Sequence, residues 1–131
     1  MPAYDSQVFN PPAPLARVSL RALHRGAIIT DVPMLIDSGA DVTLIPSTFI
    51  NELRLELEQN ESYELASFDG QKSTAKSVQL DLLFQTRTFR GRFLLINSES
   101  GILGRNVLNH FALVLDGPGL SWKEQPTSVP Q

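Results

Sequence analysis

The chain contains no cysteine, which removes disulfides, thiol catalysis and thiolate metal sites together. A reducing compartment fits that count without being demanded by it. Histidine is nearly absent as well. His24 and His110 are isolated, and neither has a partner four residues away, so they make no zinc site. No apolar run approaches the length of a membrane span. The first fourteen residues lack the cationic start and apolar stretch of a signal peptide, which with the missing cysteines favours a cytoplasmic location while leaving the compartment open. Basic charge is scarce too: 11 Lys plus Arg stand against 14 Asp plus Glu, a net charge of −3. A nucleic-acid binder usually shows a basic face. Neither metal, cofactor, nucleic acid nor membrane span is therefore expected.

What remains is ordinary globular composition, 131 residues with 42% hydrophobic and 19% charged, enough for one domain and short for two. Proline-bearing arms frame it. Residues 1–14 carry Pro2, Pro11, Pro12 and Pro14, and residues 123–131 carry Pro126 and Pro130; both read as extended and poorly packed. The domain is expected over 15–122.

Within it the apolar pattern has mostly period two. Val18, Leu20 and Ala22 alternate with Arg17, Ser19 and Arg21, as in a half-buried strand. His24-Arg25-Gly26 reads as a turn before a strand over Ala27 to Val32. Met34-Leu35-Ile36 then runs into Asp37-Ser38-Gly39, and Val42 to Ile45 resumes the apolar character, which predicts strand, tight loop and strand. Ser47 is placed to cap a short helix over Phe49, Ile50 and Leu53. Alternation returns at Leu55 and Leu57 and from Tyr63 to Phe68. Asp69-Gly70 signals a hairpin turn, followed by Val78, Leu80 and Leu82. Phe89 and Phe93 to Ile96 suggest a further strand pair. Val107, Leu108 and Phe111 have helical spacing, and Ala112 to Leu115 returns to strand. The fold class is mainly β, a small closed sheet with one or two short helices.

The chemistry concentrates in Met34-Leu35-Ile36-Asp37-Ser38-Gly39-Ala40-Asp41. A carboxylate set directly after three apolar residues suits a shielded site. Asp-Ser-Gly is also ordinary turn chemistry, and Asp-[Ser/Thr]-Gly arises by accident in roughly one in fifteen chains of this length. The tripeptide alone therefore carries little.

Its surroundings carry more. From Leu35 through Ala40 the segment resembles the active-site signature of retropepsins, the single-domain aspartic proteases of retroviruses, retrotransposons and some cellular and bacterial relatives. Downstream, Gly101-Ile102-Leu103-Gly104-Arg105-Asn106 resembles that family's apolar-apolar-Gly-Arg segment, and Asp69-Gly70 stands in the position of its flap. The resemblance spans Leu15 to Trp122 and implies a closed β-barrel of the retropepsin type.

It also implies roles. Asp37 is then the catalytic acid/base, and Ser38, Gly39 and Ala40 complete the catalytic loop, with Ser38 linking two such loops. Gly39, Asp41, Phe68, Asp69 and Gly70 contact an extended polypeptide substrate, and Arg105 supports the structure and the dimer by pairing with Asp41. The bland reading of Asp41 and Arg105 is a fold-holding ion pair. Ser67-Phe68-Asp69-Gly70-Gln71 lacks the multiple glycines of the best-known viral flaps.

Hydrolysis by this chemistry needs two neighbouring carboxylates sharing a proton, one as acid and one as base. The chain has a single Asp-[Ser/Thr]-Gly; Asp69-Gly70 and Asp116-Gly117 lack the hydroxyl residue. The second carboxylate is therefore expected from an identical chain across a twofold axis.

Other readings have less behind them. Ser98 and Ser100 lack a nucleophile-elbow pattern, Gly101 and Gly104 lack the Lys-Ser/Thr of a phosphate loop, and Asn60-Glu61-Ser62 matters only in a secreted chain. His110 is expected to pack or cap the helix, and Trp122 to be buried near the C-terminal strand. Two alternatives remain open: a non-catalytic binding or dimerisation domain on the same barrel, and a protease acting mainly on its own precursor.

Overall fold

The computed structural model describes residues 2–23, 26–53, 58–66 and 72–126. Alternating apolar residues dictate most of its strands. In β2 (Ala13–Arg21), Ala16, Val18 and Leu20 point into the core while Arg17 faces solvent. In β6 (Lys72–Phe84), Val78, Leu80, Leu82 and Phe84 do the same. Fully burying one such side chain contributes about 1.5–3 kcal/mol, so these two strands bring much of the driving force for folding.

Between them in sequence lie β3 (Ile28–Ile36), β4 (Leu44–Pro46), the helix α1 (Thr48–Leu53) and β5 (Glu58–Ala66). The two apolar stretches on either side of Pro33 form one strand, β3, and not two. Its pairing with β2 shifts register between Val18 and Leu20, and Asp31 there adopts φ +61°, as the extra residue of a bulge often does. In α1 the amide of Ile50 reaches the Ser47 carbonyl at 3.1 Å, and Ile50 and Leu53 are buried, so the short helix is held by its apolar face.

The chain continues through β7 (Arg87–Ile96), β8 (Gly101–Leu103), α2 (Arg105–Leu108), β9 (Leu113–Asp116) and β10 (Ser121–Glu124). The hydrogen-bonded order β2-β3-β8-β4-β7-β6, with β6 pairing back onto β2, closes a six-stranded barrel. Two contacts are parallel, β3 with β8 and β4 with β7. β5 extends from the first half of β6. No helix among the described residues is long and apolar enough to cross a membrane.

One charge cluster sits where the barrel closes. Asp81 lies between Leu80 and Leu82 and faces outward, yet it is fully buried. Its cross-strand neighbours are Arg21 on β2 and Arg90 on β7. Arg21 donates from Nε and Nη2 to Asp81 Oδ2 at 3.1 and 2.9 Å. Arg90 donates to both oxygens, at 2.9 and 3.1 Å. The Arg90 guanidinium, and then that of Arg21, hold the Asp81 carboxyl below its ordinary pKa against the opposing effect of burial. Three strands are thus clamped at the point where the barrel closes.

The C-terminal elements differ from expectation in detail. The helix expected through Phe111 ends at Leu108, although Val107 is buried and Leu108 and Phe111 pack on the core. Phe111 meets Phe84 edge-on, with ring centroids 4.8 Å apart. The strand after it pairs with β10 in a separate hairpin. Trp122, on β10, is buried and donates from Nε1 to the Leu15 carbonyl at 2.9 Å.

The N-terminal arm is more ordered than its prolines suggest. Tyr4–Asp5 form β1, which pairs with β2 at Pro14 and Ala13. The Tyr4 amide donates to the Leu120 carbonyl at 3.0 Å, and the Trp122 amide to that of Pro2 at 3.2 Å. The arm therefore stitches the C-terminal hairpin to the barrel.

Candidate active site

The site begins where β3 runs out. The Asp37 amide donates to the Leu103 carbonyl at 3.1 Å, carrying the parallel β3–β8 ladder one residue past the strand. The chain then turns sharply. The Ala40 amide returns to the Asp37 carbonyl at 3.1 Å, and the Gly39 amide donates to Asp37 Oδ1 at 3.0 Å. One carboxylate oxygen of the half-buried Asp37 is thereby held, while Oδ2 has no hydrogen-bond partner among the described residues. Ser38 and Gly39 are exposed and Ala40 is half-buried.

A second segment braces this loop. The Arg105 amide donates to the Ala40 carbonyl at 2.8 Å, and the Arg105 guanidinium donates from Nη1 to the Ser38 carbonyl at 2.7 Å. One residue earlier, the Gly104 amide donates to Thr43 Oγ1 at 3.0 Å, and the Thr43 hydroxyl donates to Asn106 Oδ1 at 2.8 Å. A Cβ on Gly104 would collide with the backbone of Val42, and one on Gly101 with Leu44, Met34 and Pro46. Both glycines are there because two backbones approach too closely for a side chain.

Several expected site residues fall differently. Asp41 is exposed and makes no ion pair with Arg105; the guanidinium is committed to Ser38 instead. Phe68, Asp69 and Gly70, the expected flap, lie outside the described residues, as do His24 and the strand expected at Leu55 and Leu57. His110 is exposed and has its ring 5.4 Å from that of Phe89. Thr43 and Asn106 were not anticipated from the sequence. Among the described residues no cluster of three or more His, Cys, Asp or Glu could hold a metal ion.

Chemically, the arrangement offers one carboxylate in a hydrogen-bonded loop, with one oxygen accepting from Gly39 and the other without a hydrogen-bond partner among the described residues. Alone it can accept a proton or give one, but not both in a single step.

A family model described as retroviral aspartyl protease matches residues 12–116, and the chain belongs to that family. Among solved structures it is similar to EIAV protease in complex with the inhibitor HBY-793. There the TM-score is 0.55 and the identity 21%, over 75% of this chain and 86% of the other, a likeness of fold. No curated protein sequence matches the chain.

Proposed function

We propose that the chain is an aspartic endopeptidase that acts as a homodimer, with one Asp37 from each copy activating a water against the peptide bond of an extended polypeptide. The catalytic unit on this reading is the domain over 15–122. The observation that carries it is the loop itself: Asp37 is held through Gly39 N–H and the Leu103 carbonyl, while its other carboxylate oxygen has no hydrogen-bond partner among the described residues. Membership of the retroviral aspartyl protease family supports the reaction type.

In the proposed step, the unprotonated carboxylate takes a proton from water as the oxygen attacks the carbonyl carbon. The protonated carboxyl of the partner copy gives its proton to the carbonyl oxygen. Collapse of the tetrahedral intermediate breaks the C–N bond: the amine leaves with the proton of one carboxyl, while a hydroxyl of the intermediate returns a proton to the other carboxylate and restores the pair. Ser38 links the two loops, Gly39 and Asp41 meet the substrate backbone, the segment holding Phe68, Asp69 and Gly70 covers it, and Arg105 keeps the loop in place through Ser38.

The test is cleavage of a mixed peptide library by the wild-type chain and by Asp37→Asn. Asn keeps the size of Asp and cannot shuttle the proton, so turnover should fall by about 100- to 10,000-fold with the fold retained. Undiminished cleavage by the folded variant would overturn the aspartic mechanism, and a wild-type chain that binds peptides without cleaving them would favour a binding domain.

A further inference from the structure

One residue of β2 is left out of the sheet. The odd-numbered positions of this strand turn their N–H and C=O groups away from β3, since a strand's backbone groups alternate between its two edges. Leu15 shows it: its amide donates to the Ala3 carbonyl at 3.4 Å, and its carbonyl accepts from Trp122 Nε1 at 2.9 Å. Along the same edge Ala13 pairs with Asp5 of β1, and Ser19 and Arg21 pair with Leu83 and Asp81 of β6. Arg17, midway between, has no strand beside it among the described residues. β6 ends at Phe84, and the chain turns away at Gln85, with φ +55°. On the β3 side Arg17 stands opposite Pro33, which has no N–H to offer, in keeping with backbone groups that point the other way. Neither these groups nor the guanidinium has a hydrogen-bond partner among the described residues.

A cavity of about 350 Å³ opens at this gap, lined by Leu15 and Arg17 of β2 and by Pro2, Ala3, Tyr4 and Asp5 of the arm. Its volume lies at the small end of the range of about 300–1,000 Å³ for ligand sites. Backbone N–H and C=O groups demand partners, and Arg17 brings both to this edge together with a cation. Pro2, Ala3 and Leu15 add apolar wall. Asp5 is the one acid in the lining, and its Oδ2 already accepts from the Val8 amide at 2.8 Å. The cavity lies across β2 from β3, and so from the Asp37 loop into which β3 leads.

The complement of this set is a single residue that carries an amide N–H, a carboxylate and an apolar side chain. In a hydrogen-bonded antiparallel pair, two residues exchange both of their backbone bonds. A C-terminal residue can make that exchange with Arg17, its carboxylate standing in for the carbonyl and its charge meeting the guanidinium. A longer strand cannot, because Leu15 and Ser19 are already paired on either side. We infer that the cavity is a binding site for the free C-terminal residue of a polypeptide, one with an aliphatic side chain. Capture of a chain end by backbone groups is a recurring mode of peptide recognition. The site is separate from the proposed cleft, and the inference does not rest on the protease reading.

The test is calorimetric binding of acetyl-Ala-Ala-Leu, with its carboxylate free, to the Asp37→Asn chain, so that cleavage does not interfere. The carboxylate form should bind roughly 10- to 100-fold more tightly than the C-terminal amide, the scale of a hydrogen bond to a charged group. Methylating the leucine nitrogen should weaken binding by about 2- to 10-fold, the scale of a neutral one. Arg17→Gln should erase the preference for the carboxylate, and Ala3→Trp should block binding by filling the cavity. Unfolding midpoints check that both variants are folded. No binding, equal binding of carboxylate and amide, or a preference that survives Arg17→Gln overturns the inference. Binding that appears only once Met1 is deleted also overturns it, because the chain then fills the gap itself. Free leucine binding as tightly as the peptide overturns the chain end as the occupant. A failure of the wild-type chain to cleave peptides bears on the protease reading alone.

Discussion

Thr43 shows how a single hydroxyl can matter more than its place in the sequence suggests. It stands at the end of the Asp37 loop, almost fully buried, and accepts from the Gly104 amide while donating to Asn106 Oδ1. Thr43→Val keeps the shape and leaves the buried Gly104 amide without a partner. That should cost about 1–3 kcal/mol in denaturant unfolding and loosen the loop below Asp37, whereas Thr43→Ser should restore most of the loss. If Val matches wild type, the bond contributes nothing to stability. Nothing in the sequence distinguishes this threonine from any other β-branched residue next to a strand, because its importance comes from a segment sixty residues away. Asp37-Ser38-Gly39, by contrast, was legible, since an apolar run ending in an acid and a glycine is locally unusual. The residues between these extremes are instructive. Arg105 and Asp41 invite a charge pair on paper, but the guanidinium meets a carbonyl oxygen in the loop turn, a partner that sequence cannot display.

Period-two alternation located β2 and β6, because strands with one buried face write that pattern directly, while unbroken apolar runs marked the ends of β3 and β7. It did not reveal what sits on the outer face. Asp81 alternates with Leu80 and Leu82 as any solvated residue would, and only the strand order puts Arg21 and Arg90 on either side of it. Likewise β10 is four residues long, too short to show a period. The hairpin that contains it depends on the turn after Asp116, whose Oδ1 accepts from the Gly119 amide at 3.0 Å. For Asp81 the direction of the pKa change gives a pH prediction. Its carboxyl is held lower in the folded chain than its ordinary value, so the folded state favours the charged form. The stabilisation is complete above the unfolded value of about 4 and is lost as pH falls through the lower folded value. Asp81→Asn should unfold a few degrees below wild type at neutral pH, and the gap should close in acid. Both arginines are partly exposed, so solvent and salt moderate the effect. A gap that does not change between neutral pH and strong acid would mean the cluster acts through packing alone.

At the scale of the whole molecule, the chain folds as a closed barrel that holds one copy of the loop that the proposed chemistry needs twice. If the second Asp37 comes from an identical chain, activity must depend on association in a way that a self-sufficient monomer cannot imitate. Specific activity should fall on dilution, with the midpoint of the fall matching the dimer dissociation seen by sedimentation. A sharper test mixes chains. Asp37→Asn alters no residue of the barrel core, so it should pair with wild type as readily as wild type pairs with itself. Random pairing with an equal amount of variant leaves about one quarter of the dimers fully wild type. A constant quantity of wild-type chain then keeps about half its activity, and a tenfold excess of variant leaves about one-eleventh. The loss should develop at the rate of subunit exchange and should be absent when the added chain is a variant that cannot associate. Activity that stays constant through the titration, in a mixture where heterodimers are demonstrably present, would mean that one Asp37 suffices and that the second carboxylate is not part of the reaction.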